Sequence, residues 1–480
     1  MVVGELAHER ELIIIGGGPG GYHAAIRASQ LGKKVTLVER EALGGVCLNK
    51  GCIPSKVLAY GAERLIAMQQ DHFLGISAGE HIFDLQTLMK HKDSVIQNLR
   101  QGVEGLMKAN KVEVLKGSAF FLSENKIGVE GSDSYDVYSF SEGILAVGGT
   151  PVLLEDVDHA EKGVLLNPWT IMELKELPQS LILYGNDYIT LELAMAFHAF
   201  GSNVTIVLPE GQQSFPFDSS INKELSRILK KTGIAVVKGV HYKHAAFSEG
   251  SWTLALQGEK GPKTVEGTHL FYSLGTKPSL QNLGLDRLPI ILTEEGLIET
   301  DQAGRTSIPH IFAIGDITEG PQLAVKAIQQ GKTAAEVICG RNSENNHLFL
   351  PVTARTSPPI ACAGLTEERA ALEGYSVRTG EFALSANGYS SITGSKEGLL
   401  KVVIDGDNDM LLGVHAMGRG AIELISSGVL SLEMAARAED LTFAAYPHPS
   451  LNEALLEAAE AFRGESIHSI HKAKISKVRV

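Results

Sequence analysis

Two cysteines, Cys47 and Cys52, lie five positions apart in the stretch GGVCLNKGCIPSK, which runs from Gly44 to Lys56. Zinc does not account for them. The spacing is wrong, and no second pair or Cys/His cluster completes four ligands. In a reducing compartment a close cysteine pair is catalytic or metal-binding far more often than structural. Redox chemistry is therefore the expectation, and no metal. Pro54 suits the first turn of a helix. Such a helix places Cys52 at an N-terminus, where a thiolate is stabilised, with the positive charge of Lys56 close by. Thiolate chemistry needs a base within hydrogen-bond reach. His448, in YPHPSLNE, with Glu453 five positions on, is one candidate. The same residues also read as a turn histidine followed by a capping box, Ser450-x-x-Glu453. Cys339 and Cys362 stand alone and read as buried, inert small hydrophobes.

The dithiol follows a nucleotide-binding pattern. An apolar run, Leu12 to Ile15, precedes Gly16, Gly18 and Gly21 at G-x-G-x-x-G spacing. An amphipathic helix and a second strand, Lys34 to Val38, follow, ending at Glu39. In that context the first glycine permits the turn, the second lets the backbone approach a pyrophosphate, and the third lets helix and strand pack. The acid accepts from a ribose hydroxyl.

The chain then repeats the layout. Gly185 matches Gly16, Gly201 matches Gly32, and the interval from Gly185 to Leu208 equals that from Gly16 to Glu39. Two such units suggest two nucleotide sites, a flavin and a nicotinamide. The second copy has lost its chemistry at three positions. Asp187 and Thr190 stand where glycines are required, and Leu208 stands where the ribose acid belongs. A carboxylate beside a pyrophosphate costs up to about 4 kcal/mol at an effective dielectric near 20. The lost acid forfeits about 1.5–3 kcal/mol of charge-assisted hydrogen bonding. The strand and helix patterns survive, so the fold is expected to persist while its NAD site is doubtful. Glu210, two residues on, is a partial substitute for the acid.

A third element, HIFAIGDITEGPQLAVKAIQQG, places Gly315 and Asp316 at the carboxyl end of a short strand, where ligands bind in open α/β sheets; Asp316 reads equally as a helix-capping or turn aspartate. From about Phe349 the texture changes. Gly398 to Ile404 alternates as an antiparallel strand, and Ile422–Ala435 and Leu451–Phe462 have helical period.

The 480 residues suggest about three domains. The expected boundaries are 1–148 for the first nucleotide domain with the dithiol, 149–277 for the second, 278–348 for a central return to the first, 349–465 for an α+β domain, and 466–480 for a tail. A 44% apolar and 21% charged composition is that of a globular protein, and a net charge of −13 argues against nucleic acid or anionic membrane as partner. Charges interrupt the N-terminal apolar run and no stretch is long enough to span a bilayer, so the protein is expected to be soluble and cytoplasmic.

With GGVCLNKGCIPSK, IFAIGD and HPSLNE in one order, the chain resembles the FAD-dependent pyridine nucleotide–disulfide oxidoreductases, most closely their dihydrolipoamide-oxidising branch. The resemblance covers roughly residues 9–465. It implies an α/β fold with FAD-type and NAD-type Rossmann-like domains and a C-terminal dimerisation domain. Gly16, Gly18, Gly21 and Glu39 would hold the ADP half of FAD, with Gly315 and Asp316 on the ribityl side. Cys52 would be the charge-transfer thiol and Cys47 the interchange thiol. Lys56 and Glu192 would pair near the flavin. His448, oriented by Glu453, would serve the dithiol of a second subunit, which makes the homodimer obligatory. The substrate would be a lipoyl-type dithiol, carried on a protein arm in some complexes. No cysteine follows Cys362, so a C-terminal cysteine pair like that of mercuric reductases is absent. Two other readings differ from this one. In one, the dithiol chemistry is kept but the electron partner is not NAD(P)H, as Asp187 and Leu208 suggest. In the other, the chain is a flavin-loaded redox sensor that does not turn over. The intact Cys47, Cys52, His448 and Glu453 set argues against that last reading.

Overall fold

The computed structural model describes residues 7–76, 79, 82–157 and 164–469; the end of the expected tail, 470–480, lies outside the described residues. Two compact units result. One comprises the chain up to Gln179 with His244–Thr253 and Glu266–His347; the other comprises Ser180–Lys243, Leu254–Val265 and the chain from Leu348 onward.

In the first unit, β1 (His8–Ile15) leads to α1 (Pro19–Gln30) and β2 (Val35–Glu39). Leu12, Ile13 and Ile14 are buried on both faces of the sheet, as central parallel strands require. The dithiol segment forms two helices, α2 (Gly45–Asn49) and α3 (Cys52–Gln70). A long amphipathic helix, α4 (Leu85–Ala109), follows, capped by Asp84, which accepts from the backbone N–H of Gln86 and Thr87. Then come β3 (Glu113–Lys116), β4 (Ser118–Ser123), β5 (Lys126–Glu130) and β6 (Tyr135–Leu145). The sheet runs β3-β2-β1-β6-β5-β4, and the strand Ile311–Ala313 also pairs β6. The β3, β2, β1 and β6 neighbours are parallel; β6-β5-β4 is an antiparallel meander. The helix Ala324–Ile338 crosses α1 at Gly20 and Gly331, where a Cβ on Gly331 would strike the Gly20 carbonyl.

In the second unit, β7 (Ser180–Tyr184), β8 (Asn203–Val207) and β9 (Ala235–Val237) are parallel, with α5 (Tyr188–Phe200) between the first two and α6 (Ser219–Thr232) between the last two. This is the second Rossmann-like unit, with its fold intact. A five-stranded antiparallel sheet follows: β10 (Val352–Ala354), β11 (Ile360–Gly364), β12 (Val377–Ala383), β13 (Leu399–Asp405) and β14 (Leu411–Met417), in the order β10-β11-β14-β13-β12. Helices α7 (Ala421–Glu433) and α8 (Glu453–Ala461) supply Leu424, Ile425, Leu455 and Ala458 to its core. The architecture is thus α/β with two Rossmann-like units and a C-terminal α+β domain.

One polar cluster is buried in the second unit. Lys401, on β13, is 2% exposed, and its Nζ lies 2.9 Å from Asp218 Oδ1 and 2.6 Å from Glu367 Oε2. Asp218 also caps α6 through Ser220 N and accepts from Glu367 N. Burial disfavours the ammonium, yet Glu367 and Asp218 outweigh it and raise the Lys401 pKa. Removing one member of such a pair leaves a buried unpaired charge, at about 3–5 kcal/mol.

Candidate active site

The strand-to-helix turn after β1 is a narrow passage that only glycine can make. Gly16 has φ 105°, a conformation open to residues without a Cβ. A Cβ on Gly21 would collide with the Gly16 carbonyl oxygen. Glu39 closes the turn from the end of β2: its Oε2 accepts from Gly17 N at 2.7 Å and its Oε1 from Glu41 N at 2.6 Å.

The dithiol segment docks on this loop. Gly44 N donates to Gly17 O at 2.8 Å, and a Cβ on Gly45 would lie 2.7 Å from Gly18 Cα. Both Gly44 and Gly45 have positive φ, so the chain turns sharply into α2. Cys47 lies in that helix and Cys52 is the first residue of α3, slightly ahead of the start inferred from Pro54. The two thiols are hydrogen-bonded to each other. That hydrogen bond, then burial and the neighbouring Cys52, push the Cys47 thiol up, while the Lys56 charge pulls it down. The pair is held from behind. Asn49 donates to Leu43 O and Gly45 O, and its own carbonyl accepts from Arg100 of α4 at 2.6 Å. The Lys50 ammonium sits 4.9 Å from the Trp169 ring centroid, a cation–π contact. Asn49 and Arg100 are fifty-one positions apart and carried no signal in the sequence.

Asp316 lies in a short turn after the strand Ile311–Ala313. Burial raises its carboxyl pKa, and Lys326 opposes this. Lys326, fully buried, donates to Thr318 O at 3.0 Å and Glu319 O at 2.9 Å. Burial brings its ammonium down to about 8. Gln330 accepts from Gly315 N at 2.7 Å. Lys326 and Gln330 thus hold the Gly315–Asp316 turn. Their only trace in the sequence was two polar residues at i, i+4 on the apolar face of a helix.

In the second unit, His448 Nδ1 lies 2.8 Å from Glu453 Oε1, and Glu453 Oε2 accepts from Ser450 N at 2.8 Å. Glu453 therefore makes the histidine contact, whereas the expected capping box is not formed: α8 begins at Glu453 itself with Asn452 as its cap residue, and the Ser450 hydroxyl has no partner. Burial raises the Glu453 pKa, but His448 and Ser450 N outweigh it and hold the carboxyl below the usual range. The His448 side chain is 81% exposed. Glu192 is buried in α5 and accepts from Arg355 N at 2.6 Å. Asp187 caps α5, accepting from Thr190 N at 2.8 Å; Leu208 is buried; and Glu210 pairs with His241 at 2.5 Å. Of the two lone cysteines, Cys362 is buried as expected, whereas Cys339 is only partly so, because it lies just past the end of the helix Ala324–Ile338. Among the described residues no cluster suits a metal ion, and no helix is long and apolar enough to cross a membrane.

The pattern of the pyridine nucleotide-disulphide oxidoreductases matches residues 10–331, and that of their dimerisation domain matches residues 350–459. The chain is 39% identical to a dihydrolipoyl dehydrogenase of Geobacillus stearothermophilus, over 98% of this chain and 100% of that one. It is 37% identical to one of Bacillus subtilis, with the same coverage. The crystal structure of LpdA from Mycobacterium tuberculosis superposes with a TM-score of 0.86 at 22% identity, covering 94% of this chain and 99% of that one. That of the flavoprotein disulfide reductase RclA from Escherichia coli does so with a TM-score of 0.84 at 22% identity, covering 93% and 98%. The chain belongs to the pyridine nucleotide-disulphide oxidoreductases, as a flavoprotein disulfide oxidoreductase.

Proposed function

We propose that the chain oxidises a lipoyl-type dithiol, with the Cys47–Cys52 disulfide as oxidant and FAD as the bound cofactor, and works as a homodimer. The observation that carries this is the docking of the dithiol helix on the glycine loop, Gly44 N to Gly17 O and Gly45 against Gly18.

The residues of the first unit fit FAD. Gly16, Gly18 and Gly21 form a cradle that a Cβ would fill, and Glu39 is placed for a ribose. Asp316, desolvated in its turn, is suited to a ribityl hydroxyl, with Gly315 beside it and Lys56 on the dithiol helix. When bound, the flavin supplies the electron and hydride chemistry; the protein positions it. Gly21→Ala should fold with its flavin content strongly reduced, measured as the ratio of flavin to protein absorbance; full flavin loading would refute the cradle.

The protein's own steps are thiol exchanges. One substrate thiolate attacks Cys47 Sγ, forming a mixed disulfide and releasing Cys52 as a thiolate. The second substrate thiolate attacks the substrate sulfur bound to Cys47, which closes the cyclic disulfide and releases Cys47. The substrate loses two electrons and two protons, and the cysteine pair gains the electrons. His448 takes one proton and the released Cys47 thiolate takes the other, while Glu453 fixes the imidazole's tautomer and supports the imidazolium. The exposed His448 suits a base that works on another chain's dithiol. Anaerobic titration of the holoenzyme with dihydrolipoamide tests the reading. It should perturb the flavin band and raise a long-wavelength thiolate–flavin band; a spectrum unchanged by the dithiol would sink it.

A further inference from the structure

We infer that the second Rossmann-like unit is closed to NAD(H) and NADP(H), and that Asp187 is the residue that closes it. The proposal goes beyond the dithiol chemistry and stands on different residues.

A dinucleotide binds such a unit by laying its pyrophosphate on the first N–H groups of the helix, with the glycine backbone close beneath. Here the protein takes one of those positions itself. The Asp187 carboxylate accepts from Thr190 N at 2.8 Å. The site is therefore capped by a fixed negative charge of the same sign as the ligand. In the first unit the corresponding position is Gly18, with no side chain to cap the helix.

The turn has also been rebuilt. A Cβ at Gly21 would collide with the Gly16 carbonyl, so the first unit has no room for anything larger. Its counterpart Thr190 is accommodated at 0% exposure, with a buried Oγ1 that has no hydrogen-bond partner. A side chain that fits where Cβ could not means the second turn stands wider at this point. The position where the third glycine packs helix against strand is filled by threonine.

The ribose end is equally altered. Glu39 is replaced by Leu208, 1% exposed, whose backbone N is bonded to Val237 O. Glu210, the nearest substitute, is directed to His241. Tyr184, at the end of β7, stacks on Tyr242 at 5.4 Å between ring centroids. All three recognition points, helix terminus, loop and acid, are filled by internal contacts of the same unit.

The test uses the flavin-loaded dimer in equilibrium dialysis with NADH and NADPH, and in anaerobic mixing with NADH and, separately, dihydrolipoamide. No saturable nucleotide binding is expected up to about 1 mM, the top of the ordinary range of substrate constants. Asp187→Gly with Thr190→Gly and Leu208→Glu should tighten NADH binding by about a hundredfold or more. Asp187→Gly alone, which leaves the core untouched, should give part of that gain even if the triple variant fails to fold. Micromolar NADH binding by the wild type, or no gain in a folded Asp187→Gly variant, overturns the inference. Reduction by NADH with none by the dithiol overturns both this and the dithiol reading. Reduction by neither overturns the dithiol reading alone, because dialysis still reports on the closed unit.

Discussion

Cys47→Ser should lose dithiol oxidation by about four orders of magnitude or more, the scale on which removal of a catalytic nucleophile acts. A hydroxyl cannot form the disulfide the substrate attacks, and Cys52 alone has no partner to release. The substitution spares the cofactor site, because α2 meets the glycine loop through the backbone of Gly44 and Gly45 rather than through Cys47. The expected protein is yellow, dimeric and inert to dihydrolipoamide in stopped-flow mixing, and Cys52→Ser should match it. Thiol titration in denaturant adds an independent reading. The oxidised wild-type chain should release only the thiols of Cys339 and Cys362; the dithiol-reduced chain should release those of Cys47 and Cys52 as well. Undiminished turnover by Cys47→Ser would remove the pair from the mechanism.

His448→Gln should cost about two to four orders of magnitude in turnover, the usual contribution of a positioned acid–base group. Its Nδ1–H donates to Glu453, which leaves Nε2 as the atom that accepts a proton. Glutamine keeps a polar side chain but takes no proton. Glu453→Gln should lose less and alter the pH profile of turnover, since the imidazole keeps its place but loses the charge behind it. Complementation tests the assignment across subunits. When Cys47→Ser chains are mixed and reassembled with His448→Gln chains, each hybrid dimer should regain one working site, with the histidine from one chain and the dithiol from the other. No recovery in hybrids shown to have formed would place both groups on one chain.

Chemistry was legible in this sequence wherever it depends on local spacing. The glycine loop, the acid at the end of β2, the dithiol and the His448–Glu453 pair each lie within a few turns of chain, and local geometry brings their members together. Helices and strands with clear periodicity were equally readable: Leu399–Asp405 and Ala421–Glu433 lie within a few residues of their expected bounds. Contacts between distant segments were not. β1 begins at His8, well before the apolar run, because His8, Glu9 and Arg10 pair with Tyr138, Ser139 and Phe140 of β6. Arg100 behind the dithiol and Gln330 behind Gly315 act on residues they do not adjoin in the chain, so no period or motif marks them.

Asp218 does three jobs at once: it caps α6, answers the Lys401 ammonium and accepts from the Glu367 backbone. That makes the nucleotide-type unit and the antiparallel sheet parts of one electrical circuit. A chain whose second Rossmann-like unit no longer bound any nucleotide could still not discard it. Excising that unit would remove one of the two carboxylates that answer a buried ammonium in the middle of β13 and leave it only the half-exposed Glu367. A nucleotide-type scaffold can thus be kept for the counter-ion it supplies, whatever it binds.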